Sequence, residues 1–275
     1  MKAKVVCYTC ALLLFFVTAV SAQQNTLTLG VVPQQSAKKL AATWQPLIDY
    51  IEEFTGLQIV FKTAKDIPTF EANLANGNYD IAYMNPYHFV VFNDSVGYRA
   101  LARQKDKSIK GIIIVRKDSP IISLEELGGL EIAFPAPAAF AATIITGGEL
   151  RKNNIAFIPR YVNSHDSVYM SVQRGFFTAG GGIVRTLNSI PEEIRDDIRI
   201  LWQSKGYTPH AIATHPKMDK NQRETILKAL LAITNDASKA WVLEGLEFSG
   251  FISSNDNDWD DVRELGIVSL SRPHL

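Results

Sequence analysis

The chain has 275 residues, with 28 Lys plus Arg offset by 28 Asp plus Glu and 47% hydrophobic residues. That length suits one large domain or two ordinary lobes, and the balanced, scattered charge supplies no field to hold nucleic acid or an anionic membrane. The only cysteines, Cys7 and Cys10, stand at the extreme N-terminus. A disulfide-stapled scaffold is therefore excluded.

Residues 1–22 carry two lysines, an apolar run centred on Ala11-Leu12-Leu13-Leu14-Phe15-Phe16-Val17, and then Val20-Ser21-Ala22 with small residues at the cleavage-type positions. This is the pattern of a secretory signal peptide. The run is shorter than the roughly 20 apolar residues of a membrane span. Cys10 follows Tyr8-Thr9 rather than small apolar residues, which argues against a lipid anchor. A soluble periplasmic protein, processed after Ala22, is the expectation.

Beyond the leader, hydrophobic pattern and punctuation predict alternating strands and helices. Leu27 to Val32 reads as a strand closed by Pro33. Lys38 to Phe54 reads as an amphipathic helix, with Leu40, Trp44, Leu47, Ile48 and Ile51 on one face and Gly56 after its end. Leu57 to Thr63 is the next strand, Ile67 to Asn76 a short helix, and Tyr79 to Tyr83 a third strand. That strand runs into Met84-Asn85-Pro86-Tyr87-His88, where the proline suits a helix's first turn. Ring, amide and helix N–H groups then converge on one spot, which suits a small polar ligand and favours negative charge.

In the second half, Gly111 to Val115 is a β-branched run, and Ser123-Leu124-Glu125-Glu126-Leu127 opens a helix with a capping-box pattern. Leu130 to Phe134 is predicted as a strand, Ala138 to Leu150 as a helix, Phe157 to Val162 as a strand and Ser164 to Arg174 as a helix. Phe176 to Ala179 is predicted as a strand that meets a Gly180-Gly181-Gly182 turn before a short helix. Ile198 to Gln203 is another strand, and Met218 to Leu243 reads as helical. The alternation argues for α/β layering, with binding residues at the carboxyl ends of strands.

Six segments carry a resemblance, in chain order: Leu29-Gly30-Val31-Val32-Pro33; Trp44-Gln45-Pro46-Leu47-Ile48-Asp49-Tyr50-Ile51-Glu52; Gly77-Asn78-Tyr79-Asp80-Ile81-Ala82-Tyr83; Ile112-Ile113-Ile114-Val115-Arg116-Lys117-Asp118-Ser119; Ser123-Leu124-Glu125-Glu126-Leu127-Gly128-Gly129; and Ser164-His165-Asp166-Ser167-Val168. Together they resemble the periplasmic solute-binding proteins for phosphate, phosphite and phosphonates. The resemblance implies a type II two-lobed α/β fold with the ligand cleft between lobes and an ABC transporter as partner. It places a first part of lobe 1 over residues 25–115, lobe 2 over 116–208, and a return to lobe 1 with C-terminal helices over 209–275. The family's binding wall falls on Tyr83, Asn85 and Tyr87, and its histidine on His165 with Asp166 beside it. Where the family has a Ser-Thr-Ser run at a helix start, this chain has Ala138-Ala139-Phe140-Ala141-Ala142, and no acidic residue stands in Thr178-Ala179-Gly180-Gly181-Gly182.

The expected ligand-binding set is thus Tyr83, Asn85, Tyr87, His165, Gln34, Ala139, Phe140 and Arg185. Each has a plainer reading. The tyrosine rings can be core, Asn85 and Ser164 can cap helices, Gln34 can be a turn residue, and Arg185 can be a surface cation rather than an oxyanion clamp. His88, one residue into its helix, reads as structural. No three histidines or carboxylates stand at metal spacing, and no cofactor motif is present.

The expected function is capture of a small anionic or zwitterionic ligand by a monomer that serves an ABC transporter permease or a membrane sensor kinase or cyclase. An enzyme on the same scaffold is the alternative class. It lacks support, because the mature chain has no cysteine and no Gly-x-Ser-x-Gly elbow.

Overall fold

The computed structural model describes residues 26–266. The expected leader with Cys7 and Cys10, and residues 267–275 of the expected C-terminal segment, lie outside the described residues. The first strand, β1 (Thr26–Val31), leads into α1 (Ala37–Thr55). Its apolar stripe buries Leu40, Trp44, Leu47, Ile48 and Ile51, spaced as a 3.6-residue period requires. Ser36 caps the helix by accepting from the Lys39 N–H, and Gly56, at φ 71°, ends it in the left-handed conformation that glycine adopts without strain.

The same unit continues through β2 (Gln58–Lys62), α2 (Ile67–Ala75), β3 (Ile81–Met84), α3 (Pro86–Ser95) and β4 (Arg99–Gln104). The chain then crosses to β5 (Ile112–Arg116), a 3-10 turn at Glu125–Leu127, β6 (Glu131–Phe134), a π-helical turn at Phe140–Ile145, α4 (Thr146–Lys152), β7 (Ile158–Tyr161), α5 (His165–Gln173), β8 (Ala179–Gly182), α6 (Val184–Ser189), α7 (Glu192–Arg195) and β9 (Ile198–Gln203). It returns through β10 (Ala211–Thr214), α8 (Lys220–Asn235), α9 (Trp241–Glu244), β11 (Phe251–Ser253) and α10 (Asp260–Arg263).

Two sheets result. The first has strand order β11-β4-β10-β3-β1-β2 and the second β7-β6-β8-β5-β9. In the first, β1 runs parallel to β2 and β3, while β10 inserts antiparallel between β3 and β4. The return strand is therefore central to the lobe it rejoins. The two crossing segments pair with each other, since Ile109 and Tyr207 exchange backbone hydrogen bonds of 2.9 Å in both directions. Beside them, Gly111 N–H donates to Ser204 Oγ at 3.0 Å, and Ser204 N–H donates to Gly111 O at 2.9 Å.

Several expectations are corrected here. The lobe division placed after residue 115 falls inside β5, which is hydrogen-bonded to β8 and β9 of the second sheet, so the change of sheet precedes Ile112. The predicted helix at Ser123 is a single 3-10 turn. Glu126 does reach back, accepting from the Ile122 N–H at 3.1 Å, but Gly128 and Gly129 follow at once. The predicted Met218 to Leu243 helix is α8 followed by a break, because Asp236 turns its carboxylate to the Ser238 N–H and starts a new turn. The glycine run is not a turn after a strand. It is β8 itself, buried along its whole length. Three strands, β4, β10 and β11, were not anticipated at all.

Candidate functional site

Tyr83 occupies the exposed-to-buried boundary at the end of β3, where the pleat turns its ring away from the Ala82 and Met84 side. The ring meets Trp44 of α1 at a centroid distance of 4.7 Å and a tilt of 54°, and it lies almost flat on His210, at 5.0 Å and 17°. Phe248 closes the group at 6.0 Å from Tyr83. The His210 ring stacks on Tyr83, and Trp44 and Phe248 pack close by, which leaves the Tyr83 hydroxyl as its polar group for a ligand. Burial pushes that phenol's pKa up, with Arg185 opposing the shift, so the hydroxyl stays protonated and able to donate.

His210 was not foreseen. It stands immediately before β10, whose Ile212 is in register with Tyr83, and its Nε2 lies 3.0 Å from Gln34 Nε2. An amide nitrogen only donates, so the His210 Nε2 accepts and the ring carries its proton on Nδ1. Burial presses the imidazole down to about 3, and the neighbouring His88, Arg185 and Lys107 side chains add to the effect. The ring is neutral at any ordinary periplasmic pH.

Gln34 itself is exposed in the turn after β1. Three segments that are far apart in sequence, at Gln34, Tyr83 and His210, therefore make one wall. The signal for His210 in the sequence is slight: a Thr-Pro-His step before the short apolar run Ala211-Ile212-Ala213.

On the second lobe, His165 opens α5 behind its cap Ser164, whose hydroxyl accepts from the Ser167 N–H at 3.0 Å. Its Nδ1 is buried with no hydrogen-bond partner among the described residues. Burial lowers its pKa, Asp166 pulls the other way and Arg185 adds to the lowering. Arg185 is exposed in α6. The start of that helix is held by Tyr169 of α5, whose hydroxyl accepts from the Ile183 N–H at 3.1 Å and lies 2.6 Å from Thr186 Oγ1. The Arg185 charge is felt by Tyr83 and His210 on one side and by His165 on the other.

The other expected residues have these surroundings. Asn85 is 7% exposed, and its Oδ1 accepts from the His88 N–H at 2.8 Å, which is the capping role. Tyr87 lies 5% exposed in an apolar cluster shared with Phe89 and Phe92, with its ring 5.9 Å from that of His88. His88 is fully buried, with Nε2 at 3.1 Å from Glu71. Phe140 is also 5% exposed and meets Tyr207 of the return segment edge-on at 6.3 Å, so it wedges the interlobe core. Ala139, just before the π-helical turn, offers that turn no side-chain cap. Among the described residues, no three His, Cys, Asp or Glu side chains are grouped as a metal site requires, and no helix is long and apolar enough to cross a membrane.

Two outcomes follow from this geometry. Asn85→Ala is expected to cost about 1 kcal/mol of stability, the usual loss for an N-cap, while leaving ligand affinity within a factor of two. Chemical denaturation and calorimetry on the same variant check both halves.

The second outcome concerns acid. His210 has a folded pKa depressed from 6.5 to about 3, so the unfolded chain binds protons first. Its contribution is fully present above 6.5 and is lost as pH falls toward 3. The slope is at most about 1.4 kcal/mol per pH unit. His210→Phe keeps a ring on Tyr83 and is expected to flatten the acid limb of stability against pH. Equal slopes for the two proteins would contradict this.

Comparison with known proteins accords with this architecture. The family described as ABC transporter, phosphonate, periplasmic substrate-binding protein matches residues 29–259. The chain belongs to this family. It is a two-lobed periplasmic solute-binding protein of an ABC transporter, with a small-molecule ligand and a permease as its partners. The family is one of transport proteins and not of enzymes.

A phosphate-import protein of Mycolicibacterium smegmatis is 22% identical over 90% of this chain and 82% of its own length. The phosphonates-binding periplasmic protein of Escherichia coli is 21% identical over 89% of this chain and 77% of its own. Among solved structures, a Prochlorococcus marinus relative in complex with methylphosphonate superposes with a TM-score of 0.74. It shares 14% identity and covers 88% of this chain and 97% of its own. A Xanthomonas citri protein bound to chloride reaches 0.77 at 19% identity, over the same shares of the two chains. At these identities the structural likeness speaks for the fold.

Proposed function

We propose that this family member captures a small anionic or zwitterionic ligand between Gln34, Tyr83 and His210 of the first lobe and His165 and Arg185 of the second, and presents it to the permease. The observation that carries this reading is the wall in which His210 Nε2 lies 3.0 Å from the Gln34 amide and the His210 ring lies 5.0 Å from that of Tyr83, with a buried His165 Nδ1 on the second lobe that has no partner among the described residues. The Arg185 charge acts to lower the pKa of Tyr83, His210 and His165 alike. A cation facing polar groups of both lobes is suited to an anion held between them. The wall of Gln34, Tyr83 and His210 is neutral and polar, and such groups orient a small ligand.

In this reading residues 1–22 are removed on export, the protein acts as a monomer, and it binds stoichiometrically without turnover. Native mass spectrometry of protein taken from its own periplasm tests the central claim. A co-purifying anion or zwitterion supports it, and loss of that molecule in Arg185→Ala, with affinity lowered about tenfold or more, ties it to this site. Retention of the same molecule at full occupancy by Arg185→Ala would remove the basis for the reading.

A further inference from the structure

The 3-10 turn at Asp256–Trp259 and the α10 that follows it are rich in aspartate and lie far in sequence from the cleft residues. Their side chains are engaged with the first lobe. Asp256 Oδ1 accepts from the Ala100 N–H of β4 at 2.7 Å, and Arg263 Nη2 donates to Asn93 Oδ1 of α3 at 2.7 Å. The fully buried Trp259 ring meets that of Phe89, also of α3, at a centroid distance of 4.4 Å. The segment is thereby fixed to the helix that begins just after Tyr83 and to a strand of the same sheet.

From that footing it holds the chain immediately before His210. Thr208 N–H donates to Asp261 Oδ2 at 2.7 Å, Thr208 Oγ1 donates to Asp258 O at 2.8 Å, and Trp259 Nε1 donates to Pro209 O at 2.9 Å. Thr208 and Pro209 are the two residues that lead into His210, and the proline ring fixes its own φ. The imidazole that follows lies 5.0 Å from the Tyr83 ring at 17°, with its Nε2 3.0 Å from Gln34 Nε2. A ring stacked on one neighbour and hydrogen-bonded to another tolerates little displacement of its backbone.

Asp261 points the same way through its cost. Its Oδ1 is buried with no hydrogen-bond partner among the described residues, and a buried carboxylate oxygen left unpaired is destabilising. Its Oδ2 is engaged by both the N–H and, at 3.2 Å, the hydroxyl of Thr208. The carboxylate is expensive where it stands, and what it does there is hold Thr208.

We infer that Thr208, Trp259 and Asp261 are positioning residues for ligand capture, forming a latch that sets the His210 ring against Tyr83 and Gln34. They act through His210. That His210 serves a ligand rests on the reading above, whereas its placement by the latch does not.

Nuclear magnetic resonance of the full exported protein with isotope-labelled histidines reads the latch without any ligand, His210 being assigned from the spectrum of His210→Asn. In the parent protein the carbon-bound protons of His210 are expected upfield, shielded by the face of Tyr83, and its nitrogens are expected to show one tautomer with the proton on Nδ1. Trp259→Phe removes the donor to Pro209 O and keeps a ring against Phe89. Thr208→Val removes the hydroxyl and keeps the N–H. Each is expected to move the His210 protons downfield and to mix the tautomers. Asp219→Ala removes the side chain that caps α8, a comparable loss of stability, and is expected to leave the His210 signals in place. Circular dichroism and thermal melts establish that the variants are folded. In calorimetry with ethanesulfonate as the probe anion, both latch variants are expected to bind at least about tenfold more weakly than the parent, and Asp219→Ala equally well.

Unmoved His210 signals in folded Trp259→Phe and Thr208→Val overturn the latch, and so do signals moved as far by Asp219→Ala. Moved signals with parental affinity for ethanesulfonate overturn its part in capture. Failure of ethanesulfonate to bind the parent at millimolar concentration counts against the anion reading and the capture role together, and the His210 signals still decide the latch.

Discussion

A single methyl group added at Gly181 is expected to destabilise the protein by about 3 kcal/mol or more, at or beyond the upper end of the range for overpacking a filled core. The expectation follows from what lies against β8. A Cβ on Gly181 would sit 2.0 Å from the carbonyl oxygen of Ala142 and 2.6 Å from the Phe134 ring. The first of these neighbours is backbone and has no rotamer to give.

The adjoining glycines face other obstacles. A Cβ on Gly180 would lie 2.4 Å from Val168, and one on Gly182 would lie 2.5 Å from the Tyr169 hydroxyl. Both lie on α5, which packs on one side of the strand while the π-helical turn packs on the other. Glycine in a strand forgoes side-chain burial and loses more chain entropy than other residues. Here that cost is offset by the close packing of α5, which His165 opens, and of the π-helical turn against the strand. Gly181→Ala should therefore lower the denaturation midpoint steeply, whereas Thr178→Ala, at an exposed position before the strand, should change it little. A loss below about 1 kcal/mol for Gly181→Ala would show that the turn can shift away, and the account of β8 would fail.

The second large effect is on ligand preference. Phosphate, phosphite and methylphosphonate are expected to bind about a hundredfold to ten-thousandfold more weakly than the protein's preferred anion. The estimate takes hydrogen bonds to a charged oxyanion at roughly 1.5–3 kcal/mol each and assumes that two are missing. The missing donors are side-chain hydroxyls at the start of the π-helical turn, where this chain has Ala138, Ala139 and Phe140.

The nearby threonines do not replace them. Thr143 Oγ1 donates to Ala136 O at 2.7 Å, and Thr146 Oγ1 donates to Ala142 O at 2.6 Å. Phe140 is turned into the core against Tyr207 and supplies no polar group. Phosphorus oxyanions are heavily hydrated, and water is exchanged for methyl groups only at a large cost. Less hydrated organic and sulfur anions suffer less. Calorimetry and thermal-shift measurements across both sets decide the matter, and submicromolar affinity for any of the three phosphorus ligands would refute the expectation.

The membership of this chain in its family, its α/β class and its long helices were legible in the residues. For α1 the reason is local. A 3.6-residue apolar stripe, a serine cap and a left-handed glycine are each readable in a window shorter than the helix itself. The strand-to-helix step at Tyr83 and Asn85 was legible for the same reason, since Pro86 marks the first turn in the sequence.

The site was legible only in part. Tyr83, His165, Gln34 and Arg185 were marked by position or by resemblance, while the packing partners of Asn85, Tyr87 and Phe140 became visible only in the tertiary structure. The strands β4, β10 and β11 are three to six residues long, and such short runs carry no periodicity that separates them from loop or buried helix. Because β10 was unseen, so was His210, whose importance lies in Tyr83 and Gln34, residues more than a hundred positions away.

The glycine run marks the limit most clearly. Three glycines contradict strand propensity at every position, and nothing local makes them a strand. They form one because only a surface without side chains lets Ala142, Phe134, Val168 and Tyr169 approach the same backbone from both sides. Local pattern determines which segments become regular structure. Which of them meet, and therefore which groups can donate to a common ligand, depends on close contacts between distant backbones that no stretch of sequence contains.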